Sequence, residues 1–178
     1  MARLCIFCGA HAGTNAHYRA LAGAVAQAVF ARGFGIVYGG GRVGLMGSLA
    51  DAMLALGGEV IGVIPRGLAG DEIAHAGVKD LRVVDSMHDR KALMADLSDG
   101  FIALPGGYGT MDEFHEILTW RQLHIHDKPI GLLNADGYYD HLLALYDRMR
   151  SEGFVASSGR ELFVSSATIG DLLDAMGC

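Results

Sequence analysis

Six apolar runs of strand length recur along this chain, with helical spacing after each except Val60–Ile64, and that rhythm limits its fold more than any other feature. After Val60–Ile64, residues 65–80 read as an irregular lid or binding loop. The runs are Leu4–Cys8, Phe34–Tyr38, Val60–Ile64, Leu81–Val84, Phe101–Leu104 and Pro129–Leu133, and a shorter candidate at Leu162–Val164 fits a sheet edge. Most are continuously apolar instead of alternating, as strands covered on both faces are. Between them, Tyr18–Arg32 places Leu21, Val25, Ala28 and Val29 on one helical face, and Gly44–Leu56 aligns Leu45, Leu49 and Met53. Met87–Leu97, Met111–His124, Tyr138–Arg150 and Ile169–Met176 complete the helical segments. The alternation predicts right-handed crossovers and an α/β fold: a doubly wound, mostly parallel sheet with helices on both faces. With 178 residues and no visible linker or repeat, residues 1–178 are expected to form a single domain.

Composition narrows the function classes. Twenty-six glycines against three prolines indicate tight turns and close backbone approaches, not a disordered linker. The formal net charge is -6 and no run of Lys or Arg occurs, so no basic footprint for nucleic acid is visible. Local arginines and backbone N–H groups still suffice for a small anion. No apolar stretch approaches the roughly 18 residues of a membrane span, and no signal-like segment opens the chain; no membrane partner and a cytoplasmic location are expected. Cys5 and Cys8 form a C-x-x-C pattern, but within a strand a separation of three points the side chains to opposite faces. They are expected to be reduced structural cysteines, as is Cys178.

The chemistry gathers at strand ends. After the second run comes Gly39-Gly40-Gly41-Arg42-Val43-Gly44-Leu45-Met46-Gly47. Successive glycines let the backbone press against a ligand, the helix starting near Gly44 offers free N–H groups, and Arg42 adds a guanidinium. Gly40, Gly41, Arg42 and Gly44 are therefore phosphate-binding candidates, with tight helix–sheet packing as the other reading. A Walker A loop is excluded because Gly-Lys-Ser/Thr is missing, and the glycines follow the wrong strand for a dinucleotide fingerprint.

After the fifth run, Pro105-Gly106-Gly107-Tyr108-Gly109-Thr110-Met111-Asp112-Glu113 forms another glycine nest feeding a helix. Thr110 as N-cap with Glu113 three residues on reads as a capping box, which alone would explain the glutamate. A first-turn position would also favour Glu113 as a carboxylate. Between the two nests, Ser86 and Asp89 form a second capping box. Arg90 and Lys91 follow at a helix start, where cations are unfavourable. A bound phosphate, a partnered carboxylate or a solvated pair balanced by Asp89 are the alternatives. His124, His126 and Asp127 are bunched without a distant further ligand, so no metal site is expected.

Taken together, Gly39–Gly41 with Gly44–Gly47, Pro65-Arg66, Met87-His88-Asp89-Arg90-Lys91 and Pro105–Thr110 ending in Glu113 resemble the LOG family, the cytokinin riboside 5'-monophosphate phosphoribohydrolases, often labelled lysine decarboxylases. The resemblance implies a Rossmann-like fold, a working unit of at least a homodimer, no cofactor, and a nucleoside 5'-monophosphate substrate. The activity it implies is hydrolysis of the N-glycosidic bond, giving free base and ribose 5-phosphate. Arg90 and Glu113 match the family's catalytic pair. Glu72, Arg90, Lys91 and the stretch Gly107, Tyr108, Gly109, Thr110, Met111, Asp112 and Glu113 match its substrate-contacting positions. By this reading the phosphate rests on the Gly39–Gly44 nest and the helix start near Thr110.

One departure stands out. Where the family commonly has a serine-containing turn after the first strand, this chain reads Cys8-Gly9-Ala10-His11-Ala12-Gly13. The rival functions are a nucleotide or molybdenum-cofactor carrier without turnover and, more distantly, a dinucleotide-dependent oxidoreductase or a true lysine decarboxylase. Nothing in the sequence is placed as a pyridoxal phosphate lysine.

Overall fold

A computed structural model describes residues 1–69, 74–156 and 162–178 of the chain. Its frame is one seven-stranded sheet in the order β4-β3-β2-β1-β5-β6-β7, with β1 at Arg3–Phe7, β2 at Gly35–Tyr38, β3 at Val60–Pro65, β4 at Asp80–Val84, β5 at Gly100–Ala103, β6 at Ile130–Leu133 and β7 at Val164–Ser166. Every ladder is parallel. The helices are α1 (His17–Ala31), α2 (Gly44–Ala55), α3 (Met87–Asp96), α4 (Tyr108–Gln122), α5 (Asp140–Ser151) and α6 (Ile169–Met176). The doubly wound α/β architecture expected from the sequence is the one observed, and each apolar run supplies a strand.

Continuous apolar runs are needed because both sheet faces are covered. Leu4, Ile6, Ile36 and Tyr38 pack with α1, α2 and α6, while Cys5, Phe7, Val37, Ile61 and Phe101 pack with α3, α4 and α5. The strand alternation thus sends Cys5 and Cys8 to opposite faces, where both are free thiols. Burial pushes both thiols far above the ordinary cysteine range, so they sit as neutral core groups. The run Leu81–Val84 departs from the covered pattern: β4 is an edge strand, with Val83 46% exposed.

Helix ends follow their local chemistry. Ser86 caps α3, its Oγ accepting the Asp89 N–H at 3.0 Å, and Thr168 caps α6 in the same way. The capping box expected at Thr110 does not form. Helix α4 begins two residues before Thr110, with Gly107 as its N-cap, so Thr110 lies in the first turn and Glu113 in the second. Tyr108 and Gly109, ahead of the expected cap, enter the helix because Gly107 supplies an extended N-cap (φ -95°, ψ -154°) without any side chain. Among the described residues, no helix is long and apolar enough to cross a membrane.

Candidate active site

The sheet order reverses between β1 and β5, and open α/β sheets place their ligand crevice at such a reversal, beyond the carboxyl ends of the strands. A cleft of about 690 Å³ opens there. Three turns wall it: Cys8–Gly13 after β1, the turn from Gly39 into the start of α2, and Pro105–Thr110 after β5. Ile64 and Pro65 from β3, with Leu68 and Met87, give it an apolar side, and Arg90 and Glu113 bring a guanidinium and a carboxyl group into it.

These two charges form a buried pair. Arg90 Nη1 donates to Glu113 Oε1 at 2.6 Å, and the two side chains are 10% and 9% exposed. Arg90 Nε donates to the Val63 carbonyl at 3.1 Å, so the guanidinium is held from two directions. The partnered-carboxylate alternative therefore explains a cation at the start of α3. Burial pushes the Glu113 carboxyl above its ordinary range, and the Arg90 guanidinium opposes that shift. The helix start does not set this titration, because Glu113 stands beyond the first turn.

Gly39 makes room for the pair. A Cβ built at Gly39 would stand 2.1 Å from Arg90 Nη2, so any side chain must displace the guanidinium. Gly39→Ala is expected to cost about 1–3 kcal/mol by overpacking, read as a lower urea midpoint with the slope unchanged.

The two glycine nests prove unequal. Around α2 the chain fills its own turn: the Leu45 N–H donates to the Gly9 carbonyl at 3.0 Å, and a Cβ on Gly44 would lie 2.3 Å from the Ala10 carbonyl oxygen. Gly40 (φ +74°) packs on Ile64 and Leu81, and its carbonyl accepts the His75 N–H at 3.0 Å. Of the four phosphate candidates only Gly41 lines the cleft; Gly40, Arg42 and Gly44 do not. The start of α4 is open by contrast. Its first N–H groups have no intrahelical acceptor, its N-cap carries no side chain, and among the described residues nothing lies within 4 Å of a Cβ built on Gly107 or Gly109. Thr110 is 3% exposed, yet among the described residues its Oγ1 has no hydrogen-bond partner.

The remaining candidates divide. Gly107, Tyr108, Gly109, Thr110, Arg90 and Glu113 meet in the cleft, whereas Lys91, Met111 and Asp112 do not line it. Lys91 Nζ pairs with Asp112 at 3.0 Å and Glu116 at 3.2 Å, bracing α3 against α4. Glu72 lies outside the described residues. His126 uses both ring nitrogens locally, Nε2 donating to the Ile117 carbonyl at 3.0 Å and Nδ1 accepting the Lys128 N–H at 3.1 Å. His11, in the turn that departs from the family pattern, is exposed at the rim.

Sequence reasoning missed Cys8, Tyr18 and Tyr138 as cleft walls and Gly39 as the space for Arg90. Tyr138 reads as the first residue of a helix in sequence, but α5 starts two residues later and frees it to face the cleft. The tyrosine pair Tyr138-Tyr139 after a strand was the available signal.

Comparison with known proteins bears on the family. A family profile described as "Possible lysine decarboxylase" matches residues 46–176. The probable cytokinin riboside 5'-monophosphate phosphoribohydrolase LOGL1 of Oryza sativa subsp. japonica is 52% identical over 98% of this chain and 78% of its own length. The cytokinin riboside 5'-monophosphate phosphoribohydrolase LOG3 of Arabidopsis thaliana is 47% identical over 96% of this chain and 80% of its own length. Among solved structures, the molybdenum cofactor binding protein of Rippkaea orientalis shares the fold at a TM-score of 0.75 and 18% identity, covering 99% of this chain and 95% of that one. At that identity the likeness concerns the fold alone. Near 50% identity over almost the full chain decides the family: this protein belongs to the LOG family, whose named members are cytokinin riboside 5'-monophosphate phosphoribohydrolases.

Proposed function

We propose that this chain hydrolyses the N-glycosidic bond of adenine-type nucleoside 5'-monophosphates, cytokinin riboside 5'-monophosphates among them, to free base and ribose 5-phosphate. The observation that carries this reading is the buried Arg90–Glu113 pair beside an open helix N-terminus in one cleft. A phosphate is favoured at the start of α4 by its unpaired N–H groups and helix field, and the orphan Thr110 hydroxyl supplies one further donor. Anchoring there fixes the ribose, and that remote binding energy applies at the anomeric carbon.

Cleavage leaves the bonding electron pair on the base nitrogen and positive charge on the sugar. Glu113 as a carboxylate stabilises that charge and takes a proton from the attacking water, and the base leaves with a proton on its nitrogen. Of the roles open to Arg90, orientation of Glu113 is the one its two hydrogen bonds support. A decarboxylase through pyridoxal phosphate needs a lysine in the cleft. Among the described residues none lines it, and Lys91 and Lys128 are tied to Asp112 and the Ala95 carbonyl. The carrier reading rests on fold likeness, whereas the hydrolase reading rests on relatives near 50% identity.

The same reading takes residues 1–178 as one domain working as a cytoplasmic homodimer. One sheet gathering strands from Arg3 to Ser166 supports the first part. Tyr108 at 97% exposure beside the cleft, with Leu123 and Ile125 each 62% exposed beyond α4, supports a partner subunit at that helix. The reaction class is tested by product stoichiometry in phosphate-free buffer. One free base and one ribose 5-phosphate per nucleotide consumed are expected; dependence on added phosphate or pyrophosphate contradicts hydrolysis.

A further inference from the structure

Two successive tyrosines after β6 hold the carbonyls on either side of Pro105. Tyr139 Oη donates to the Leu104 carbonyl at 2.6 Å, and Tyr138 Oη donates to the Gly106 carbonyl at 2.7 Å. Their surroundings differ. Tyr139 is 3% exposed in the core, whereas Tyr138 is 43% exposed and lines the cleft. Tyr138 is held edge-on by Tyr18 and Tyr139, with ring centroids 5.9 and 4.8 Å away.

The bond to Gly106 matters because of what Gly106 has to be. A Cβ there would stand 2.1 Å from Thr110 Oγ1 and 3.0 Å from the Gly9 nitrogen, so only glycine fits. Gly107 follows, and a peptide between two glycines lacks the side-chain sterics that ordinarily fix its orientation. In a trans peptide the carbonyl and N–H point in opposite directions, so turning this unit over would exchange one for the other at the start of α4. A carbonyl oxygen turned toward an anion repels it. A hydroxyl bonded to that oxygen prevents the turn.

We propose that Tyr138 is a positioning residue for the anion seat: its hydroxyl locks the Gly106–Gly107 peptide in the orientation that accepts a phosphate. The inference rests on the reading of the α4 start as the seat of the substrate 5'-phosphate. It assigns the neighbouring tyrosine a different part, since Tyr139 holds a buried carbonyl before Pro105 and does not line the cleft.

The test is Tyr138→Phe, which keeps the ring and removes one oxygen, with Tyr139→Phe as its companion. Dissociation constants for ribose 5-phosphate, AMP and free adenine are measured by calorimetry, beside KM and kcat for AMP. For Tyr138→Phe the ribose 5-phosphate and AMP constants and KM are expected to rise about three- to tenfold, the scale of one hydrogen bond. Its adenine constant is expected to stay unchanged while kcat falls along with the loosened anchor, since the phosphate's binding energy is applied at the reacting carbon. Tyr139→Phe is expected to lower the urea midpoint and leave the ribose 5-phosphate constant unmoved. Equal ribose 5-phosphate affinity in Tyr138→Phe and wild type overturns the proposal, as does equal weakening toward adenine or by Tyr139→Phe. If wild type turns over no nucleotide, the hydrolase reading fails while the affinity ratio still decides this inference. If wild type binds neither ribose 5-phosphate nor AMP, both fall.

Discussion

Glu113→Gln lowers kcat by about 10²–10⁴-fold, the range of a lost general base, and leaves the protein folded. Glutamine has the shape of glutamate, so it still accepts the Arg90 hydrogen bond in the buried site. What it loses is the negative charge and the ability to take a proton, which are needed as the glycosidic bond breaks. The check is single-turnover release of base beside a thermal or urea unfolding curve. Turnover near that of wild type removes Glu113 from the mechanism.

A pH dependence accompanies this variant. Burial raises the Glu113 carboxyl, so folding favours its protonated form, and this group's contribution to stability declines as pH rises through the raised value. Activity has the opposite sign, because the carboxylate is the working form. Turnover falls as pH drops through the raised value, placing an acid limb above the ordinary glutamate pKa of about 4.3. A kcat–pH profile shows that limb for wild type and lacks it for Glu113→Gln. An acid limb at the same pH in both assigns it to another group.

Arg90→Met has the largest effect on stability. It leaves a buried carboxylate without its cation, which costs about 3–5 kcal/mol, a large share of a domain's stability. The Val63 carbonyl also loses its donor. Without the guanidinium the Glu113 pKa rises further, so the destabilisation is greater at pH 8 than at pH 5. Activity falls with it, because a smaller share of Glu113 is then the working carboxylate. Arg90→Lys keeps a charge but cannot donate to Glu113 and Val63 from one planar fork, and is expected to rescue stability in part. Urea midpoints at the two pH values check the sign; a wild-type midpoint for Arg90→Met at pH 8 contradicts it.

The sheet was legible because burial on both faces leaves nearly pure apolar runs, and each such run became a strand. Edges were less so: β4 brings Leu81, Val83 and Val84 together with Asp80 and Arg82, and none of its residues is buried, with Val83 exposed. Helix α4 was misplaced because Thr110 and Glu113 stand at capping-box spacing, and glycines argue against a helix start. Tertiary packing decided otherwise: Thr110 Oγ1 lies where only a glycine at position 106 leaves it space. Arg90 and Glu113 are separated by 23 residues, and no periodicity could pair them. Apart from the family resemblance, which matched both to its catalytic pair, their unfavourable or over-explained local positions were the sequence trace of the pair. Which glycine nest stays open likewise depends on the Ala10 carbonyl approaching Gly44, a contact between two turns far apart in sequence.

The central claim, that this cleft cuts the glycosidic bond of a nucleotide anchored by its 5'-phosphate, is tested most directly by chromatographic assay of base release. AMP and isopentenyladenosine monophosphate are compared with the matching nucleosides at equal concentration. Base is expected from both monophosphates and from neither nucleoside, since loss of the anchoring phosphate removes the binding energy applied at the reacting carbon. Equal release from nucleoside and monophosphate, or release from none despite tight nucleotide binding, contradicts the account.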